Sequence, residues 1–332
     1  MIISGKMANW HSVLQYNPIT PLLSSENKAV AFFTARDFLG NVDKSPEILW
    51  DLPEVQKIVK KQQHDGSWKY PGGNKNIRSQ ENYDQIETYR NLGYLVEMYG
   101  FDKSSSVITR AADFLFRFQT DKGDIRGIYG NQYTPNYTAG ILELLIKAGY
   151  AKDPRIERAL QWLTSMRQND GGWAIPIRTL NKSLYIITTE SKTLEPDRSQ
   201  PFSHLVTGVV LRAFAAHRKN RNSYEAKEAG KLLLSHLFKK DNYADRVSPD
   251  YWLRFTFPFW FTDLISAMDS LSILGFPRDE PQIEKAVQWF VSHQQINGLW
   301  KLRILKNNKY MSDFWLSVAI CRIIERLYDE KM

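Results

Sequence analysis

Two segments of this chain lie on one another in register, Pro154 to Trp173 and Pro281 to Trp300. Each opens on an acidic residue and proline (Asp153-Pro154, Glu280-Pro281), carries Gln-Trp at the same offset (Gln161-Trp162, Gln288-Trp289), and closes on Gln, Gly and Trp (Gln168, Gly171, Trp173; Gln295, Gly298, Trp300). A third copy ends at Gln63 to Trp68. A weaker fourth runs from Ile108 to Gln119, keeping Gly123 but carrying Ile125 in place of the tryptophan. The interval between Gln168 and Gln295 is about two periods long, so an unmarked fifth unit is expected near Tyr224 to Asn242. A repeat of this kind constrains the architecture before any single residue does, because each unit buries its apolar face only against its neighbours.

Within a unit the pattern reads helix, turn, helix. Pro154 and Pro281 suit a first helical position, where no amide donor is missed. Ile156, Ala159, Leu160 and Leu163 then recur at helical spacing, and the Asp/Asn-Gly after the glutamine stops the helix. More uniformly apolar helices follow, Thr138 to Ala148, His204 to Ala216, Phe261 to Leu274 and Phe314 to Leu327, and these belong inside. An amphipathic outer helix alternating with a buried inner one, about five to six times, gives a solenoid or a closed ring. Strand-like alternation is missing, so the class is all-α. One domain over 1–332 is expected, with 1–25 as an N-terminal extension and 178–199 as a loop or insertion.

The aromatic content, 10 Trp, 16 Tyr and 17 Phe in 332 residues, needs a use, since 43% hydrophobic and 24% charged are otherwise ordinary for a globular chain. Lys and Arg outnumber Asp and Glu by 44 to 36; a net charge of +8 favours anionic surfaces or ligands without requiring nucleic acid, and none is expected. The lone cysteine, Cys321, forms no internal disulfide, so a reducing, cytoplasmic setting is expected. Met1 to Tyr16 does not read as a signal peptide, and no uncharged apolar run reaches the ~18 residues of a membrane span. Peripheral membrane contact stays open.

The segments ending Gln63-Trp68, Gln168-Trp173 and Gln295-Trp300 resemble the QW repeats of squalene–hopene and oxidosqualene cyclases, and the related repeats of protein prenyltransferase β subunits. The resemblance runs from about Pro53 to Leu327. It implies an α/α toroid whose inner helices surround an aromatic cavity, and an isoprenoid-like hydrophobic small molecule as the ligand. The repeat residues themselves (Gln63, Trp68, Gln168, Trp173, Gln295, Trp300) read as staples, since a glutamine at a helix end satisfies backbone groups left unpaired at a neighbouring terminus.

The chemistry the resemblance implies is incomplete here. Those cyclases protonate an alkene with an Asp-x-Asp-Asp-Thr-Ala motif, and this chain has no Asp-x-Asp-Asp; its nearest echo is Thr134-Pro135-Asn136-Tyr137-Thr138-Ala139. Neither asparagine nor a tyrosine with a pKa near ~10 is such an acid. The prenyltransferases bind zinc through Asp, Cys and His, and the required cysteine is missing. Cys321 sits two turns into the last helix and reads as a buried thiol.

Two constellations remain. His204, Asp263 and Asp313 begin three different inner helices and are the candidate catalytic group, Asp263 foremost as a proton donor or ligand. Each also suits a helix cap. No cofactor is expected, a His204/Asp263/Asp313 metal being the one alternative. The second is the aromatic block Asp250 to Asp263. Its Trp252, Phe255, Phe257, Phe259, Trp260 and Phe261, joined by Tyr137, are the expected substrate wall, because aromatic faces stabilise cations; ordinary helix packing is the competing reading.

The leading expectation is an isoprenoid-handling protein, a noncanonical cyclase or transferase acting on a polyprenyl substrate in a central aromatic cavity, with a noncanonical acid or none. Its rival is a non-catalytic toroid that binds a hydrophobic ligand or a protein. An α/α-barrel glycosidase using Asp84, Glu87 and Asp263 fits the repeats poorly, and a thioester domain is excluded because Cys321 precedes Arg322-Ile323-Ile324.

Overall fold

In a computed structural model of the chain the described residues are 9–41, 44–72, 80–182, 190–245, 247–305 and 313–328. Residues 1–8 of the expected extension and 183–189 of the expected loop lie outside the described residues.

Among the described residues six helical hairpins follow one another. The outer members are α1 (Ile19–Leu23), α3 (Pro53–Val59), α5 (Ser106–Phe116), α7 (Pro154–Ser165), α9 (Tyr224–Ser235) and α11 (Pro281–Ser292). The inner members are α2 (Lys28–Leu39), α4 (Gln80–Gly93), α6 (Pro135–Leu145), α8 (His204–Ala216), α10 (Leu264–Ile273) and α12 (Asp313–Tyr328). Prolines stand in the first turn of α3, α6, α7 and α11, where a missing amide donor is harmless. The expected fifth unit is α9. Outer helices bury one face, as α7 does with Ile156, Ala159, Leu160 and Leu163, whereas α8 is buried almost throughout. No strand longer than an isolated bridge occurs among the described residues, and no helix there is long and apolar enough to cross a membrane.

The hairpins close into a ring. Inner helices touch in the order α4, α6, α8, α10, α12, α2. Phe33 of α2 approaches both Trp315 of α12, with ring centroids 5.8 Å apart, and Gly100 beyond α4. On the outside, Gln294 accepts hydrogen bonds from the backbone N–H groups of Gln15 and Tyr16 and donates to the Tyr16 carbonyl. Residues 1–25 therefore differ from the extension expected: their described part supplies α1, the outer helix of the hairpin that closes the ring. At five residues and without a Gln-Gly-Trp turn, α1 carries too little periodicity to be read as a repeat.

The staples are real, but their register is shifted by one residue. Gln62 donates to the Gly66 carbonyl and, across the hairpin boundary, to Val107 at the start of α5; Gln119 does the same to Gly123 and Arg155, and Gln294 to Gly298 and Tyr16. Arg167 stands in for glutamine before Gly171. Gln63, Gln168 and Gln295 instead close the turn through their own backbone N–H, to Ser67, Gly172 and Leu299. The Gln168 side chain does staple, but to the 197–200 loop. Adjacent glutamines in Gln62-Gln63 and Gln294-Gln295 concealed the difference. Trp68, Trp173 and Trp300 each donate an indole N–H to a carbonyl of the preceding outer helix (Ile58, Leu163, Phe290), and their backbone N–H to a hydroxyl of the following inner helix (Thr88, Thr207, Ser317).

Candidate functional site: an aromatic cavity at the inner-helix N-termini

The aromatic segment before α10 decides where the ring is hollow. Its start is pinned by Phe255, which donates to Arg303 and accepts from Leu305. Phe257 then stacks on Trp315 of α12 at 5.4 Å and meets Phe259 edge-on. Trp260 turns the other way. It lies edge-to-face with Tyr89 (5.2 Å) and Tyr94 (5.7 Å), and its ring edge fills the space a Cβ at Gly93 would occupy. Because α10 and α4 stand opposite one another in the ring of six, Trp260 crosses the lumen. One side is thereby packed solid against α12 and α2, and the other keeps a cavity.

That cavity measures about 390 Å³, within the range of small-molecule pockets. Its lining comes from the first turn of α6 (Asn136, Tyr137), the first two turns of α8 (Leu205, Val206, Val209), the approach to α10 (Trp260, Phe261, Thr262), Tyr89 of α4, Ile175 and Arg178 at a short helical turn (Pro176–Thr179), and the loops carrying Tyr129 and 243–245. The apolar and aromatic residues form most of the wall. Tyr89, Val206 and Thr262 are buried at its floor, whereas Ala244 is exposed at its mouth. There Arg178 and Asp245 make a bidentate pair, Nε to Oδ2 and Nη2 to Oδ1, both 2.5 Å.

Of the residues expected on the wall, Tyr137, Trp260 and Phe261 line the cavity. Trp252, Phe255, Phe257 and Phe259 do not. They are buried in packed core: Trp252 stacks on His204 at 4.6 Å and donates its indole N–H to Lys239, and Phe255 packs on Trp289. Density of aromatics in sequence marks the segment that enters the lumen without telling its wall from its plug. Tyr89, Tyr129, Tyr243, Arg178 and Asp245 are among the lining residues that sequence reasoning missed. Arg178 and Asp245 are 67 positions apart and leave no local signal.

His204, Asp263 and Asp313 are not brought together. Among the described residues no group of three His, Cys, Asp or Glu is placed to hold a metal ion. Asp263 caps α10: Oδ1 accepts from the Ser266 N–H (2.8 Å), Oδ2 from the Thr256 N–H (3.2 Å), and Ser266 Oγ accepts from the Asp263 N–H, completing a capping box. Burial pushes its carboxyl up to about 6, against the pull of those N–H donors. With both oxygens occupied and absent from the lining, it serves the helix. His204 Nδ1 lies 3.2 Å from Asp241 Oδ2, out of line for a hydrogen bond, and burial, with His236 nearby, lowers the imidazole to about 3. Asp241 accepts instead from Ser203 Oγ and the Leu205 N–H, capping α8. Asp313 is half-buried at the first turn of α12, its carboxyl raised by burial. Cys321 is fully buried, its thiol pushed far up by burial.

At the positions that echo the cyclase acid motif, Asn136 and Tyr137 face the cavity, and the Asn136 Oδ1 is buried without a hydrogen-bond partner. Beneath the floor runs a chain of charges, buried at Arg212 and Glu143 and open to solvent at Lys147. Arg212 Nε donates to Glu143 Oε2 (2.7 Å), Lys147 Nζ to Glu143 Oε1 (2.8 Å), and the same ammonium to Glu97 Oε1 (2.5 Å). Burial alone would raise the Glu143 carboxyl, but Arg212 and Lys147 outweigh it and keep it ionised.

With the ring and its cavity in view, similarity to known proteins falls into place. Residues 84–193, from α4 through α7 and into the loop beyond, match the family model of the squalene-hopene cyclase C-terminal domain. Among solved structures, a variant of the type II terpene cyclase MstE from Scytonema, in complex with geranylgeranyl dihydroxybenzoate, is 15% identical, with a TM-score of 0.43 over 93% of this chain and 98% of that one. MstE without ligand (13% identical, TM-score 0.36, 81% and 95% covered) and a protein from Actinoplanes (15%, 0.38, 85% and 86%) are also similar. No curated protein matches. The chain thus resembles squalene–hopene cyclase-like proteins, and its architecture is an all-α, α/α toroid.

Proposed function

We propose that this protein handles an isoprenoid, seating its chain in the cavity between α4, α6 and α8. The observation that carries the reading is the wall itself: Tyr89, Tyr129, Tyr137, Trp260 and Phe261 enclose about 390 Å³ at the N-terminal ends of inner helices. Such faces bind branched alkenes by dispersion and stabilise positive charge. The match of residues 84–193 to the squalene-hopene cyclase model supports the same ligand class.

One observation favours binding without olefin protonation. Asn136 and Tyr137 hold the positions that echo the acid motif, and Asp245, the carboxylate in the lining, is tied to Arg178. A carboxylate whose two oxygens are both engaged by one guanidinium is not free to approach an alkene in the cavity. Purified protein should be extracted and its lipids identified by mass spectrometry, then incubated with squalene and prenyl diphosphates. A cyclised or transferred product marks an enzyme. Recovery of unchanged isoprenoid marks a binder; if no isoprenoid is recovered and no product forms, the isoprenoid reading fails.

A further inference from the structure

With an isoprenoid chain seated as above, the charges in the cavity wall decide which head group it can carry. Among the described residues of the lining, Arg178 is the one cation and Asp245 the one anion, and they pair at the mouth. The hydroxyls of Ser203, Thr262 and Tyr243, also in the lining, are committed to Asp241 and to the carbonyls of Leu205 and Pro201. The Arg178 guanidinium is the lining group suited to an anion, because Nε and Nη2 present two parallel N–H donors that match a carboxylate.

The two partners of this pair are held unequally. Arg178 belongs to a pinned turn. Its backbone N–H donates to the Ile175 carbonyl and its Nη1 to the Lys182 carbonyl at 3.3 Å, while the adjacent Thr179 hydroxyl donates to Pro176 and accepts from the Asp197 N–H. Asp245 has no hydrogen-bond partner other than Arg178 among the described residues, and its side chain is 36% exposed against 19% for the arginine. An ion pair this open to water adds little to stability, so exchanging its anion for another costs little. The chain's net charge of +8 favours the arrival of an anion.

We propose, resting on the isoprenoid reading, that Arg178 is the head-group site of the cavity and Asp245 its built-in competitor. The ligand is an isoprenoid acid: its carboxylate takes the place of Asp245 on the guanidinium, and its hydrocarbon end lies toward Tyr89 and Val206 at the floor. Asp245 is released on the side where it already meets solvent. The exchange breaks one ion pair and makes another, so the intact protein separates an acid from an alcohol only weakly, and Asp245 sets that limit.

Farnesoic acid and farnesol, one skeleton with two head groups, test the site by calorimetry on the purified protein and two variants. Asp245→Asn removes the competitor and is expected to tighten farnesoic acid about tenfold, the worth of one charge-assisted hydrogen bond, with farnesol hardly changed. Arg178→Gln leaves Asp245 as an unpaired anion at the mouth and should weaken farnesoic acid about tenfold, again sparing farnesol. Loosening of the mouth cannot produce this result, since it would move both variants and both probes together. Farnesoic acid not tightened by Asp245→Asn, not weakened by Arg178→Gln, or shifted no more than farnesol overturns the site, while the binding of both probes keeps the isoprenoid reading. If neither probe binds the intact protein or either variant, the isoprenoid reading fails and the site with it.

Discussion

The indole edge of Trp260 rests on the backbone of Gly93, across the full width of the inner ring. Gly93 is an ordinary helical residue, with φ −59°. Its value lies in having no side chain where Trp260 arrives. This contact fixes how much of the lumen is plugged and how much is cavity.

Gly93→Ala is therefore expected to act against helix propensity. In an open helix the change would stabilise by ~1 kcal/mol, but here the added methyl displaces Trp260, and overpacking costs about 1–3 kcal/mol. Thermal unfolding should fall, and ligand affinity should change with it. An alanine variant that melts higher and binds unchanged would show that Trp260 is not seated on α4.

The register of the staples gives a paired test. Gln62 bridges Gly66 and Val107, whereas the Gln63 side chain meets Ser67 Oγ within its own turn. Gln62→Ala should lose about 1–2 kcal/mol in urea unfolding, because carbonyls at a hairpin boundary lose their donor. Gln63→Ala should lose less than about 0.5 kcal/mol. Equal losses would contradict the assignment.

Ring closure depends on Gly298. It sits at φ +85°, and a Cβ there would run into the carbonyl of Asn17, the residue that leads into α1. Strain and clash act together, so Gly298→Ala should destabilise by about 2–4 kcal/mol. It should also raise hydrogen exchange in residues 9–23. Protection there that matches the unaltered protein would argue against closure through this contact.

Asp263 supplies a pH signature. Its carboxyl is raised from 3.8 to about 6 in the folded protein, so between those values the native state holds a proton the unfolded chain has lost. Stability contributed by this group is greatest below pH 4 and declines as pH rises toward 6, by up to about 2–3 kcal/mol. Asp263→Asn keeps a good cap and removes the titration. The difference in melting temperature between the two proteins should shift in the variant's favour from pH 4 to 7, and a constant difference would show that Asp263 does not titrate in this range.

The ring was legible because five of its six hairpins carry dense local signals, Pro at helix starts and Gln-Gly-Trp at turns, or at least an amphipathic period such as that of α9. The sixth was not, since α1 is short and its stapling partner, Gln294, lies 278 residues from Tyr16. The cavity was half legible. Tyr137, Trp260 and Phe261 were marked by helix starts and aromatic density, whereas Phe257 and Phe259 share that density and face the opposite side, toward Trp315. The cap roles of Asp263 and Asp241 follow from geometry at helix starts, where a carboxylate reads equally as acid or cap until its acceptors are placed. Arg212 and Glu143, 69 residues apart, gave no sequence pattern at all.

The central claim is that an isoprenoid occupies the cavity bounded by Trp260. A farnesyl probe carrying a diazirine, photolysed on the purified protein and mapped by mass spectrometry, tests it most directly. Labelling should concentrate on peptides holding Tyr89, Tyr137 and Trp260 and be competed by unlabelled farnesol. Labelling confined to the outer helices, or unaffected by competitor, would contradict the account.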